Sequence, residues 1–233
     1  LYQQAFDTLH FYGNNSGTAR QYAAMFCGDR LPLAGKRKTS MISSWKYKNR
    51  IFSFIVERQI SEIAEMLHDP EVERYLWFAP ITPEGFRYFT LPLIKKQKEA
   101  FAEGKYPNSA TFTVVKDNEL LGVCGMDDIS DGHNVVMIGY QLKRSAWGQG
   151  TGTCCTKFLL HYAKTYLNIR KLFGDCVTAN LASTRILEKC GFTLEGIIRE
   201  KYELGGKLHD NSWYGLKMSD VSPLPQDSIE EIQ

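Results

Sequence analysis

The run Val135-Val136-Met137-Ile138-Gly139-Tyr140-Gln141-Leu142-Lys143-Arg144-Ser145-Ala146-Trp147-Gly148-Gln149-Gly150-Thr151-Gly152 decides the fold. Its first part, Val135 to Leu142, reads as a strand. Beyond Gly152, apolar residues recur at Cys155, Phe158, Leu159, Tyr162, Ala163, Tyr166 and Leu167, the stripe of an amphipathic helix. Three glycines therefore lie between a strand and a helix N-terminus. The first amides of a helix have no intrahelical partner, and the helix dipole adds partial positive charge there. Glycine lets that backbone approach a ligand closely, which makes a phosphate cradle without a basic side chain. No Gly-Lys-Ser/Thr follows, so the P-loop is excluded. The G-x-G-x-G spacing also misses the dinucleotide fingerprint, and its strand ends a meander rather than opening a βαβ unit.

Downstream, Arg170 to Thr178 reads as a strand, and Asn180 to Cys190 as a short helix closed by Gly191. Phe192 is placed to fold back onto Leu187. A long hairpin follows, 192–204 and 208–218 around Gly205-Gly206, and then a Pro-containing, acidic tail from Val221 that is expected to be loose. Upstream, Ile51 to Val56 reads as a strand. Ile60, Ile63, Ala64 and Leu67 fall at helical spacing, stopped by Pro70. Thr82-Pro83-Glu84 opens another helix, which Pro92 interrupts or kinks and Gly104 ends. Residues 110–115 and 120–126 form a hairpin around Lys116-Asp117-Asn118-Glu119. The pattern predicts an α/β fold, with a mixed, strongly twisted sheet of about six or seven strands and helices on both faces.

The 233 residues are 43% hydrophobic and 23% charged, which excludes wholesale disorder. A formal net charge of +2 excludes a protein dominated by nucleic-acid electrostatics, so nucleic acid is not an expected partner. No run approaches the roughly 18 apolar residues of a membrane span. No signal peptide is visible. Seven basic residues between Arg30 and Arg50 read as a solvated surface. Cysteines at 27, 124, 154, 155, 176 and 190 contain no C-x-x-C pair, which argues against a zinc site and for reduced thiols in a cytoplasmic protein.

The segment from Met137 to Gly196 resembles the GNAT N-acetyltransferase superfamily, and within it the RimJ/RimL-like, ribosomal-protein N-acetyltransferase-like branch. The branch shows an aromatic-Gly-x-Gly-x-small loop, then N-x-x-S-x-x-x-x-x-K-x-G-F, then E-G. Trp147 to Gly152 match the loop, and Asn180, Ser183, Lys189, Gly191, Phe192, Glu195 and Gly196 match the rest. The similarity divides the chain into an N-terminal extension of unclear structure (1–40), an acetyltransferase domain (41–220) and a loose C-terminal tail (221–233).

The resemblance implies a parallel strand pair, 135–142 and 170–178, that splays to admit acetyl-coenzyme A. It implies that the amides of Gly148, Gln149, Gly150, Thr151 and Gly152 hold the pyrophosphate, with Trp147 and Thr153 also binding the cofactor. Gln141, Leu142 and Asn180 serve the pantetheine arm, and the Leu142 N–H polarises the thioester carbonyl. It implies direct attack by an amine, so a base must take a proton. Much of the superfamily carries a Tyr where this chain has Leu187, and the RimL-like branch uses the Ser of N-x-x-S, here Ser183. The branch's Glu before the turn is replaced by Tyr202. Glu200 or Tyr202, which strict alternation puts on one strand face, are the candidate bases.

The expected function is an acetyl-CoA-dependent N-acetyltransferase acting on a protein N-terminus or small molecule. The alternatives are an aminoglycoside, polyamine or amino acid acceptor, or a catalytically silent acyl-CoA-binding module. Self-association as a homodimer is compatible with this reading. Cys154 and Cys155 suit core packing rather than catalysis, and His209-Asp210 a turn-end hydrogen bond rather than a metal. Trp77, Phe78, Phe86, Tyr88 and Phe89 line an acceptor pocket or, for most of them, form core.

Overall fold

The apolar stripe of the central helix finds its partner in a twisted sheet. In the computed structural model, which describes residues 41–129, 133–221 and 229–232, that helix is α4 (Thr151–Tyr166). Residues 1–40 lie outside the described residues. Cys155, Phe158, Leu159, Tyr162 and Ala163 of α4 are wholly buried. Trp45 is the hub of the core they enter. Its ring meets Phe54, Phe112 and Tyr162 edge-on at 5.5, 5.8 and 5.7 Å, and its Nε1 donates to Tyr166 Oη at 2.8 Å. A buried indole N–H is usually satisfied by such an acceptor.

Among the described residues nine strands form one sheet: β1 (Ser44–Tyr47), β2 (Arg50–Phe54), β3 (Ala110–Lys116), β4 (Glu119–Asp128), β5 (Val135–Leu142), β6 (Lys171–Val177), β7 (Thr193–Leu204), β8 (Lys207–Lys217) and β9 (Ile229–Ile232). Their order is β7-β8-β6-β5-β4-β3-β2-β1-β9. Among the described strands, β5 and β6 are the parallel pair. The other helices are α1 (Ile60–Leu67), α2 (Pro70–Glu73), α3 (Pro83–Ala102) and α5 (Leu181–Lys189). Helices α4 and α5 pack on one face. On β3, Phe112 and Val114 point to α4, while Thr111 and Thr113 point to the face of α1 and α3.

The sheet exceeds the expected six or seven strands by β1 and β9. Strand β1 falls within the basic run that reads as surface. Its Trp45 and Tyr47 are buried, while Lys46 and Lys48 are exposed. Strand β9 pairs with β1 through Ser44↔Ile232 to Tyr47↔Ile229, so the end of the tail expected to be loose is part of the sheet. Pro92 does not break α3, which runs unbroken through it. The proline is exposed, so the carbonyl it leaves unbonded can reach water. Thr82 caps α3 as expected, accepting from the Gly85 N–H at 3.0 Å.

The end of α5 follows the sequence reading closely. The Phe192 N–H donates to the Leu187 carbonyl at 3.1 Å and the Gly191 N–H to the Glu188 carbonyl at 3.0 Å, with Gly191 at φ +91°. This Schellman closure buries Phe192 with Leu187.

Candidate active site

Pairing between β5 and β6 stops early. It covers Val135↔Lys171 to Ile138↔Gly174. Strand β5 continues against β4 to Leu142↔Gly122, and β6 continues against β8 to Val177↔Asn211. The two strands therefore part beyond Ile138 and Gly174, which leaves a gap edged by backbone groups. The Lys143 N–H donates to the Leu121 carbonyl at 2.8 Å. Antiparallel alternation then turns the backbone of Gln141 towards β4 and that of Tyr140 and Leu142 towards the gap. Of the two β5 residues expected beside the pantetheine arm, Leu142 turns its backbone to the gap and Gln141 turns its backbone away. The Leu142 carbonyl accepts from Trp147 Nε1 at 3.0 Å, so Trp147 ties the glycine loop to the strand end.

The glycines of the loop have different tasks. Gly148 and Gly150 have φ of +69° and +74°, and a Cβ at either would meet nothing within 4 Å. They serve the left-handed turn and leave space above it. At Gly152 a Cβ would lie 2.7 Å from Ile186 Cδ1 and 3.3 Å from the Tyr140 ring, so this glycine lets α4 press against α5 and β5. Gly150 is the N-cap, and the first helical bond runs from the Cys154 N–H to its carbonyl at 3.0 Å. The amides of Thr151, Gly152 and Thr153 lie ahead of that bond, as helix geometry requires.

Beneath this turn lies a residue that the sequence reading counted as solvated surface. Arg50 is 5% exposed. Its Nη2 donates to the Gln149 carbonyl at 2.8 Å and to Thr151 Oγ1 at 3.0 Å, its Nε to Thr151 Oγ1 at 3.3 Å and its Nη1 to Asn49 Oδ1 at 2.8 Å. In a planar trans peptide, C=O and N–H point opposite ways. Turning the Gln149 carbonyl to Arg50 therefore turns the Gly150 N–H away from it. Gln149 Nε2 donates to the Ser145 carbonyl at 2.7 Å, which fixes that side chain to the loop itself.

At the head of α5, Asn180 accepts from the Ser183 N–H at 3.3 Å and so caps the helix. Tyr140 Oη donates to Ser183 Oγ at 3.3 Å. Burial raises the Tyr140 phenol well above its ordinary value, partly offset by that hydrogen bond, so the ring stays a donor. The Ser183 proton is then left for another acceptor. Leu187 is buried and packs against Gly174, so no hydroxyl stands at that point of the helix. Neither Arg50 nor Tyr140 is marked by any motif spacing.

The candidate bases on β7 do not share a face by simple alternation. Ile198 pairs with Asn211 and Tyr202 with His209, so three β7 residues oppose Asp210 alone. Glu200 sits in this bulge at φ +51°, exposed, with its N–H donating to Asp210 Oδ1 at 2.8 Å. Tyr202 is half-buried and lies parallel to Trp77 at 6.1 Å. Phe86 is core, at 2% exposed, and Tyr88 is on the surface. Cys124, Cys154 and Cys155 are buried, and burial pushes the Cys154 thiol up despite Arg50 and Lys48 nearby. Among the described residues no His, Cys, Asp and Glu group could hold a metal, and no helix is long and apolar enough to cross a membrane.

Comparison with known proteins agrees with this geometry. The chain is 28% identical over 148 residues to the "Uncharacterized N-acetyltransferase p20" of Bacillus licheniformis, covering 64% of this chain and 81% of that protein. It is 28% identical over 103 residues to the ribosomal-protein-serine acetyltransferase of Escherichia coli (strain K12), covering 44% of this chain and 58% of that one. The fold is shared with RimL, a ribosomal L7/L12 alpha-N-protein acetyltransferase solved in complex with coenzyme A, at TM-score 0.61, 21% identity, 73% of this chain and 95% of that one. The family description "Acetyltransferase (GNAT) domain" matches residues 51–193, more than half of the sequence, and the chain belongs to the GNAT acetyltransferases.

Proposed function

We propose that this acetyltransferase uses acetyl-CoA and acetylates a primary amine directly, with the α-amine of a protein N-terminus as the leading acceptor. The observation that carries this reading is the glycine turn at the head of α4, held by Arg50 beside the open β5–β6 gap. Its empty left-handed positions and free amides suit a pyrophosphate. The donor supplies an acyl group on a good leaving sulfur. The chain's residues divide the remaining work. The amides of Gly150, Thr151, Gly152 and Thr153 hold the pyrophosphate, with Gly148 shaping the turn. The Leu142 N–H polarises a carbonyl in the gap. Ser183, supported by Tyr140, donates to the departing sulfur, and Asn180 holds the helix head that presents it.

The ribosomal-protein-serine acetyltransferase among the relatives supports a protein acceptor. A silent acyl-CoA-binding module is the second reading, because Leu187 and Tyr202 replace groups that the family commonly uses. A cytoplasmic setting fits the unpaired thiols among the described residues. A thermal-shift titration with acetyl-CoA, with NADH and ATP alongside, tests the donor. A ligand of the native state raises the midpoint with concentration. A shift for NADH and none for acetyl-CoA would remove this reading.

A further inference from the structure

A carboxylate outside the expected site residues stands at the mouth of the gap. Asp175 is the first β6 residue beyond the last pairing with β5. Gly174 before it packs on Leu187 of α5, so alternation turns Asp175 to the opposite face of the sheet. There it is half-buried, and Asn211 Nδ2 donates to its Oδ2 at 2.8 Å. Asn211 is 0% exposed, and its Oδ1 has no partner among the described residues. Trp213, which pairs with Asp175 across β6 and β8, has a buried Nε1 that also has no hydrogen-bond partner among the described residues. Buried polar atoms are nearly always bonded, so two exceptions side by side mark a place built for more than stability. On the same side lie Tyr202, opposite His209 of β8, and Trp77 stacked on it.

Resting on the acetyltransferase reading, we infer that Asp175, positioned by Asn211, is the acceptor-side group that receives a primary ammonium and takes its proton. It supplies a carboxylate where β7 offers the phenol Tyr202 in place of the branch's Glu and holds Glu200 exposed in a bulge. The donor face carries Ser183 and the acceptor face Asp175, with the gap between them. One N–H bond of the ammonium breaks as an O–H bond forms on Asp175, and that proton passes to water. The freed lone pair forms the C–N bond at the acyl carbon as the C–S bond breaks and sulfur takes the Ser183 proton. The second amine proton returns through solvent to Ser183, so one proton is released per turnover. Asn211 acts through Asp175 and is a positioning residue.

The test is Asp175→Asn, with acetyl-CoA thermal shift as the check on folding. A serine-initiated tripeptide titrated calorimetrically into protein saturated with coenzyme A should bind at least about tenfold more weakly, because the charged partner of the ammonium is gone. Turnover of the tripeptide should fall about 10²-fold or more, the usual worth of a positioned base. Turnover of methoxyamine, whose nitrogen is already neutral at pH 7, should stay within about threefold of wild type, since it has no proton to lose before attack. Asn211→Ser should show the same split between the two amines, but smaller. Unchanged tripeptide affinity with turnover within twofold, or equal losses for both amines, would overturn the assignment of Asp175 while the wild-type activity stands. A wild-type protein that binds acetyl-CoA but turns over neither amine would overturn the acetyltransferase reading, and this proposal with it.

Discussion

Arg50 of β2 donates to the carbonyl of Gln149, 99 positions later in the chain, at 2.8 Å. This single contact sets which way the first peptide of the glycine turn faces. Because Arg50 also holds Thr151 Oγ1 and Asn49 Oδ1, Arg50→Met should leave three acceptors without this donor, two of them in the glycine turn. Hydrogen bonds to a charged group are worth about 1.5–3 kcal/mol each, so unfolding in urea should report a loss of that order. Acetyl-CoA affinity should fall by more than tenfold. Arg50→Lys, which keeps the charge but not the fork, should fall between the two. Unchanged affinity in Arg50→Met would show that the turn holds its shape without it.

The glycines should separate binding from folding. Gly150→Ala places a Cβ in open space but at φ +74°, which costs roughly 1–2 kcal/mol. Its loss of acetyl-CoA affinity should exceed its loss of stability. Gly152→Val should do the reverse, since a Cβ there lies 2.7 Å from Ile186 Cδ1. Paired unfolding and binding curves for the two variants check this. Parallel losses in Gly150→Ala would make that glycine a structural turn only.

Much of this fold is legible in the sequence, and the reasons are physical. The α4 stripe, the Asn180 cap, the Gly191 closure and the Thr82-Pro83 start each lie within a few residues of their own cause. Strands β1 and β9 are short elements at one end of the sheet whose alternation is hidden among charged residues, and each is defined by its partner. Arg50, Tyr140 and Asp175 gain meaning from residues far away in sequence, which no local spacing records. The bulge at Glu200 breaks the alternation that placed it with Tyr202, because left-handed backbone at a non-glycine residue leaves no mark in composition.

Ser183→Ala should lower kcat with little change in the KM for acetyl-CoA, since the hydroxyl meets charge that develops only in the transition state. A drop of about 10²- to 10⁴-fold is the usual scale for a positioned proton donor. Tyr140→Phe should give a smaller loss in the same direction, because it removes only the donor to Ser183 Oγ. A kcat within twofold for Ser183→Ala would return the residue to an ordinary place in the first turn of α5.

Alkaline stability follows from the buried phenols. Burial raises Tyr140 and Tyr162 above the ordinary tyrosine value of about 10. A group held more strongly protonated in the folded state gives stability that is fully present below its unfolded value and is lost as pH rises towards its folded value. The unfolding midpoint should therefore be indifferent to these groups from pH 7 to about 9, and fall above about pH 10. Tyr162→Phe should flatten that fall, although it also removes the bond to the Pro107 carbonyl at 3.2 Å. An equally steep fall in the variant would assign the alkaline loss to other groups.

On this reading the glycine turn and the open strand pair serve amine acetylation. Steady-state release of free coenzyme A thiol from acetyl-CoA, measured across a panel of a serine-initiated tripeptide, spermidine, kanamycin and free amino acids, tests it most directly. The account predicts saturable, amine-dependent thiol release, highest with the tripeptide and abolished in Gly150→Ala at acetyl-CoA concentrations that saturate the wild type. Acetyl-CoA binding with no amine-dependent thiol release from any member of the panel would contradict it and leave a binding module in its place.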